Sequence, residues 1–408
     1  MLRNLMVFAI IFVCLYSCKT ETPKKVTLEE DIAFLASDSL SGRETGTPEE
    51  LMAADYLQKR MQDIGLQPKG NAGTYFQTYT FKPETDPHGE VKFISGDSTI
   101  TGTNVIGYID NRAAKTVIIG AHYDHLGMGG EGSLYADGEA IHNGADDNAS
   151  GVGVMLQMAE KLKDTVKGSN YLFIAFSGEE MGLLGSNYFS KNPTIDFEKA
   201  NFMINMDMVG RLRENKTLSI SGTGTTPTWN QVLNATNPGF KLVLSESGVG
   251  PSDHTSFYLQ NIPALHFFTG QHEDYHKPSD DADKLNYEGM TMIGNYIMAI
   301  ISELDDADKL AFRTTKNESE DVPRFKVALG VMPDYLFDGK GMRIDGVTED
   351  RPAYVAGLQK GDIVIQLGDS TVVDMMSYMR ALSVFEEGNS TNVVVDRKGN
   401  KIEANIKF

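Results

Sequence analysis

Five residues of metal-binding type fall in order along this chain, each beside the end of an apolar run: His122, Asp146, Glu180, Asp207 and His276. They sit in GAHYDHLG (120–127), NGADDNASG (143–151), FSGEEMGLLGS (176–186), NMDMVGR (205–211) and DYHKP (274–278). A borderline cation takes neutral imidazole together with carboxylate oxygen. Two cations about 3.5–4 Å apart need one carboxylate between them. Two His, two terminal carboxylates and one bridging carboxylate serve both and leave a shared position for water, as catalytic zinc sites do. The order points to a two-metal hydrolase.

Neighbouring residues supply the rest of such a site. Asp124 lies two residues after His122, on the same face of an extended stretch, so it can hold the far ring nitrogen of His122. Asp146 and Asp147 are adjacent in a Gly-rich turn, and the residues alone leave open which of them bridges. Glu179 and Glu180 are also adjacent, which suits one to the metal and the other to taking a proton from water activated there. Glu179 is the candidate base, its pKa raised by apolar walls and nearby carboxylates. His125, His142, His266 and His272 read as surface residues or supports. His254, in GPSDHTSF (250–257), either donates to a tetrahedral intermediate or belongs to a helix cap.

The elements that must position these groups form an α/β pattern. Strands are expected at Lys115–Gly120, Tyr171–Phe176, Phe202–Met206 and Ile262–Phe268, apolar throughout, as in a mostly parallel sheet buried on both faces. Ligands bind beyond the carboxyl ends of such strands, which is where the motifs fall. A helix from Thr27 opens with a capping box closed by Glu30, and a second from Thr47 has Pro48 at its first turn, Glu50 closing the box and Gly65 stopping it. Ser150 is expected to cap a helix with the stripe Val152, Met155, Leu156, Ala159 and Leu162.

With 408 residues, 41% of them hydrophobic, the chain has enough sequence for two domains. A formal net charge of -19 makes nucleic acid an unsuitable partner. Both cysteines, Cys14 and Cys18, lie in the first 18 residues, so the folded part has neither disulfide nor thiolate metal site. Arg3 precedes a short apolar run from Leu5 to Leu15, and Leu15–Tyr16–Ser17–Cys18 resembles a bacterial lipobox. That resemblance implies a signal peptide over 1–18, lipidation of Cys18, a polar tether over 19–27 and a place in the cell envelope. Lys19 after the cysteine implies outer-membrane sorting.

Residues 28–305 as a whole resemble the co-catalytic dizinc aminopeptidase family that also includes glutamate carboxypeptidases and glutaminyl cyclases. HYDH, GADDNASG, GEE, NMDMVG, DYHKPSDD and the leading SLSGRETGTPEE (39–50) carry the resemblance together. It implies a zinc exopeptidase fold: a mixed, mostly parallel sheet flanked by helices. It also implies two zinc ions, with His122 and Asp207 on one, Glu180 and His276 on the other, and Asp146 bridging. Glu179 would be the base, Asp124 would orient His122, and the Asp146–Asp147 peptide would be cis. The activity implied is release of amino-terminal residues, because the long insertions and basic substrate-binding residues of the carboxypeptidases are not apparent. Glutaminyl cyclisation and carboxypeptidase action are the alternatives, and an inactive peptide-binding lipoprotein is a third.

Residues 306–322 are polar and charged, as in a linker. Beyond them, over 323–408, strands are expected at Phe325–Val331, Met342–Val347, Ile363–Leu367 and Val393–Val395, with alternation at Ile402, Ala404, Ile406 and Phe408. RPAYVAGLQKGDIVIQLGD (351–369) resembles the PDZ domains of bacterial proteases. Such domains add a peptide as a strand and hold its carboxylate in backbone amides, here at Leu329, Gly330 and Val331.

Overall fold

The computed structural model describes residues 25–408 apart from 83–92, 95, 97, 98, 131, 317–325, 335, 338 and 349. The signal segment, Tyr16 and Cys18 lie outside the described residues, as does most of the expected tether. Among the described residues, no helix is long and apolar enough to cross a membrane.

Among the described residues, nine strands form the first sheet: β1 Gln67–Pro68, β2 Phe76–Phe81, β3 Ile100–Ile109, β4 Thr116–His122, β5 Asn170–Phe176, β6 Ala200–Met206, β7 Thr217–Ser221, β8 Lys241–Ser245 and β9 Ala264–Phe268. Their order is β1-β3-β5-β4-β6-β9-β7-β8, with β2 on β3. The centre, β5-β4-β6-β9, is parallel, and β1–β3 and the β7/β9 pair add antiparallel flanks. Every residue of β4, β5 and β6 is buried, the continuous apolar run of a doubly covered sheet. One cover is the helix Gly151–Leu162, which packs its Val152, Met155, Leu156, Ala159 and Leu162 stripe into the main core.

Local chemistry explains the helix starts, with two corrections. Thr27 and Glu30 make the expected reciprocal box. At Thr47 the hydroxyl accepts from Glu50 N–H, Pro48 opens the helix and Gly65 ends it left-handed. Glu50 does not close that box: its carboxylate is buried, accepting from Gly46 N–H at 2.6 Å, from Tyr123 Oη at 3.1 Å and from Ser177. Ser150 does not cap its helix either. Its hydroxyl donates to Asp146 O at 2.7 Å and accepts from Val209 N–H at 3.0 Å, tying two loops of the site together.

The segment expected as a linker is described as far as residue 316, and that part is fastened to the first domain. Leu310 is buried in its core, and Leu310 N–H donates to Asn201 Oδ1 at 2.8 Å. The second domain holds β10 Val331–Pro333, β11 Met342–Val347, β12 Ile363–Leu367, β13 Ser370–Thr371, β14 Ser390–Arg397 and β15 Asn400–Lys407. They pair antiparallel in the order β10-β11-β12-β14-β15, around a core that includes Leu329, Ile344, Val364, Val393 and Ile406. Phe325 lies outside the described residues; among those described strand pairing starts at Val331, and Leu329 and Gly330 before it turn their carbonyls to Ala353 N–H and Thr348 N–H at 2.8 and 3.0 Å.

Candidate metal centre

The parallel register brings the motifs to one edge. His122 pairs with Phe176 across β4–β5 and Gly120 with Asn205 across β4–β6, so His122, the 177–180 turn and Asp207 leave the sheet side by side. Two loops complete the ring: 143–150 and 269–281. Asp280 Oδ2 pins the first to the second, accepting from Asp146 N–H at 2.9 Å and Asp147 N–H at 3.1 Å.

At the centre stands Asp147, not Asp146. Asp147 Oδ1 is 3.3 Å from His122 Nε2, and Oδ2 is 3.2 Å from His276 Nε2. Asp207 Oδ1 lies 3.4 Å from His122 Nε2, and Glu180 Oε2 lies 3.4 Å from His276 Nε2. One carboxylate therefore faces two His–carboxylate pairs, the arrangement a bridged cation pair needs. The expectation for Asp146 is overturned by its own bonds: Oδ1 accepts from Gly210 N–H at 2.6 Å, and Oδ2 lies 3.1 Å from His272 Nε2. It holds the ligand loop from behind. The cis peptide is shifted by the same one residue, to Asp147–Asn148.

Residues 104–301, which carry all of these groups, match peptidase family M28. Residues 310–408 match a PDZ domain. The alkaline phosphatase isozyme conversion protein of Escherichia coli strain K12 is 34% identical over 169 residues, covering 41% of this chain and 46% of that protein. Aminopeptidase YwaD of Bacillus subtilis strain 168 is 29% identical over 223 residues, covering 51% of this chain and 46% of that protein. The chain thus spans about half the length of these relatives. Among solved structures, BSAP, a zinc aminopeptidase from Bacillus subtilis, superposes with a TM-score of 0.53 at 18% identity, covering 71% of this chain and 99% of that one. At that identity it shows the shared fold.

Around this centre, electrostatics follow from packing several acids together. Burial raises Glu179 well above the usual carboxylate range, with Asp207, Glu180 and Asp253 adding to it and His122 opposing. Its Oε2 is 4.0 Å from His122 Nε2. Burial works against a charged His122, yet Glu179, Asp207, Asp124 and Asp147 outweigh it and raise it well above the ordinary imidazole value. His276 is likewise carried to about 11 by Glu180 and Asp147 against burial. Asp147 lies well below its usual range, with His122 and His276 overcoming burial. An oxygen-and-imidazole donor set with surplus acid fits divalent zinc.

Asp124 does more than orient one ring. Its Oδ1 is 3.6 Å from His122 Nδ1, an electrostatic contact, while that nitrogen is 3.3 Å from the backbone oxygen of Asp124. The Asp124 carboxylate instead accepts from Glu179 N–H at 3.1 Å, Glu180 N–H at 3.4 Å and the Thr45 hydroxyl at 3.1 Å, so it positions the GEE turn.

Two contributors escape a sequence reading. His125 is buried with Nδ1 2.7 Å from Glu180 Oε1, and with Asp147 and Glu180 it forms a second group able to hold a cation. Its place three residues after His122 at a strand end is the signal that could have found it. Arg43 is wholly buried and donates to Tyr123 O at 2.7 Å, Asn143 O at 2.7 Å, Gly144 O at 3.1 Å and Leu35 O, bracing the loops behind the site. Burial lowers it to about 10. Its signal is only its place in the Gly-rich SLSGRETGTPEE segment.

His254 follows Asp253, whose charge acts on Glu179. It is fully buried, stacked on His266 with ring centroids 4.7 Å apart, and burial holds it well below the ordinary imidazole value. It makes no cap bond at the helix His254–Tyr258, so the cap reading fails. In the PDZ domain, Gly330 is left-handed at φ +78, and a Cβ there would meet Arg351 Cβ at 2.1 Å. Leu329, Gly330 and Val331 form the loop that leads into β10.

Proposed function

We propose that this chain is a zinc-dependent aminopeptidase that removes amino-terminal residues from peptides. The observation that carries the reading is Asp147 standing between His122 and His276 with Glu179 beside them. His122, Asp207 and Asp147 would hold one zinc, and His276, Glu180 and Asp147 the other. Zinc there supplies Lewis-acid polarisation of the scissile carbonyl and a lowered pKa for water. Glu179 takes the proton from the attacking water and returns it to the leaving amine. The Asp124 contacts to Glu179 and Glu180 N–H keep base and ligand side by side. Surplus carboxylate in a buried setting favours a substrate with a free α-ammonium group.

Hydrolysis of peptides with free, acetylated and amidated ends tests this reading. Release of the first residue, abolished by acetylation, supports it. Loss on amidation of every peptide would mark a carboxypeptidase, and pyroglutamate from amino-terminal glutamine would mark a cyclase.

The PDZ domain binds peptide along β10, and the lipobox at Leu15–Cys18 anchors the protein to the bacterial envelope, with Lys19 directing it to the outer membrane. Metabolic labelling with a fatty acid tests the anchor: label lost in Cys18→Ser supports it, and an unlabelled parent refutes it.

A further inference from the structure

We infer that the two domains act on one peptide: the PDZ domain holds its free carboxyl terminus, and the same peptide's amino terminus enters the metal centre. The inference rests on the aminopeptidase reading. Among the described residues β10 pairs only with β11, which leaves its other edge open to an added strand. The Leu329–Gly330 loop, which would take the carboxylate, precedes β10. A peptide ending there must run antiparallel to β10, so its upstream residues pass Val331, Met332 and Pro333 in turn and point past Asp334.

That end of β10 is where the domains join. Asp334 Oδ2 is 3.6 Å from Arg213 Nη1, and Arg213 Nη2 donates to Asp345 Oδ2 at 2.8 Å and to Gln271 O at 3.2 Å. Leu336 lies so close to Gly270 that a Cβ there would meet Leu336 Cδ1 at 2.7 Å. Lys360 Nζ adds contacts to Asp345 at 3.3 Å and Glu273 at 3.6 Å. The catalytic side of this joint is the loop that continues to His272, against Asp146, and to His276. A cavity of about 440 Å³ opens at the joint, lined by Arg211, Gly270, His272 and Glu273 from one domain and Asp345 and Lys360 from the other. The peptide's direction, the joint and the metal-bearing loop are therefore continuous.

The geometry also sets a minimum length. Three residues lie beside β10 and further residues must cross the joint, so only peptides longer than three residues engage both sites. Shorter peptides reach the metal centre alone.

The test uses the full chain and peptides of three to twelve residues sharing one amino-terminal residue, each as free acid and as amide, with an aminoacyl p-nitroanilide as a substrate lacking a carboxyl terminus. The expected result is that amidation lowers kcat/KM about tenfold or more, through KM, for the long peptides of the series, and leaves tripeptides unchanged. An acetylated peptide with a free carboxyl terminus should compete with the long peptides more strongly than with the p-nitroanilide. Equal kcat/KM for acid and amide at every length overturns this inference alone. No hydrolysis of any amino-terminal substrate, or loss on amidation at every length, overturns the aminopeptidase reading and this inference with it.

Discussion

His125 Nδ1 lies 2.7 Å from Glu180 Oε1, and the histidine is buried three residues beyond the end of β4. The contact fixes one oxygen of Glu180 while the other faces His276 at 3.4 Å. Supports of this kind set the orientation and basicity of a ligand. His125→Asn should therefore weaken zinc at the His276 side by roughly 10- to 100-fold and spare the His122 side. Titration against a chelator reads the two affinities separately, and an unchanged weaker site would refute the role.

Glu179→Gln keeps the shape and removes the proton acceptor. Turnover should fall by about 10²- to 10⁴-fold with zinc content unchanged. Steady-state kinetics beside metal analysis check this; near-normal kcat would move the base elsewhere.

Arg43 bonds four backbone carbonyls from three segments, all in the interior. Arg43→Met preserves much of the bulk and orphans those oxygens, each costly to bury unpaired. A loss of roughly 3–5 kcal/mol is expected, by analogy with breaking a buried ionic contact. Denaturant unfolding measures it, and a loss within 1 kcal/mol or so would show that water replaces the guanidinium.

Glu50 makes stability depend on pH. Burial raises its carboxyl from 4.5 to about 7, against the bonds from Ser177 and Gly46. A carboxyl with a raised folded pKa favours the folded state only while protonated. Its contribution is complete below about 4.5 and is lost as pH rises through about 7. Across that window the parent should lose on the order of 3 kcal/mol relative to Glu50→Gln. Unfolding midpoints of both proteins at pH 5 and pH 8 give the difference, and parallel pH profiles would contradict it.

The central strands are legible because burial on both faces leaves an uninterrupted apolar run, and the chemistry sits where each run stops. His122, Glu180 and Asp207 follow from that, and His276 from the DYHKP segment in the loop beyond β9. The choice between Asp146 and Asp147 does not, since two identical side chains differ only in which way the loop turns them. That turn is set by Asp280 and Gly210, more than sixty residues away in sequence. Glu50 shows the same limit: its spacing from Thr47 fits a capping box, but the buried Ser177 and Tyr123 hydroxyls take the carboxylate instead. A long-range partner outweighs a local one when the local one is exposed to water.

Zinc content of Asp147→Asn beside Asp146→Asn, measured by mass spectrometry after gel filtration, tests the assignment of the bridge. The parent should carry about two zinc per chain. Asp146→Asn should retain them, because an amide oxygen still accepts from Gly210 N–H, whereas Asp147→Asn should fall well below one. Full zinc in Asp147→Asn, or loss of both ions in Asp146→Asn alone, would contradict the account.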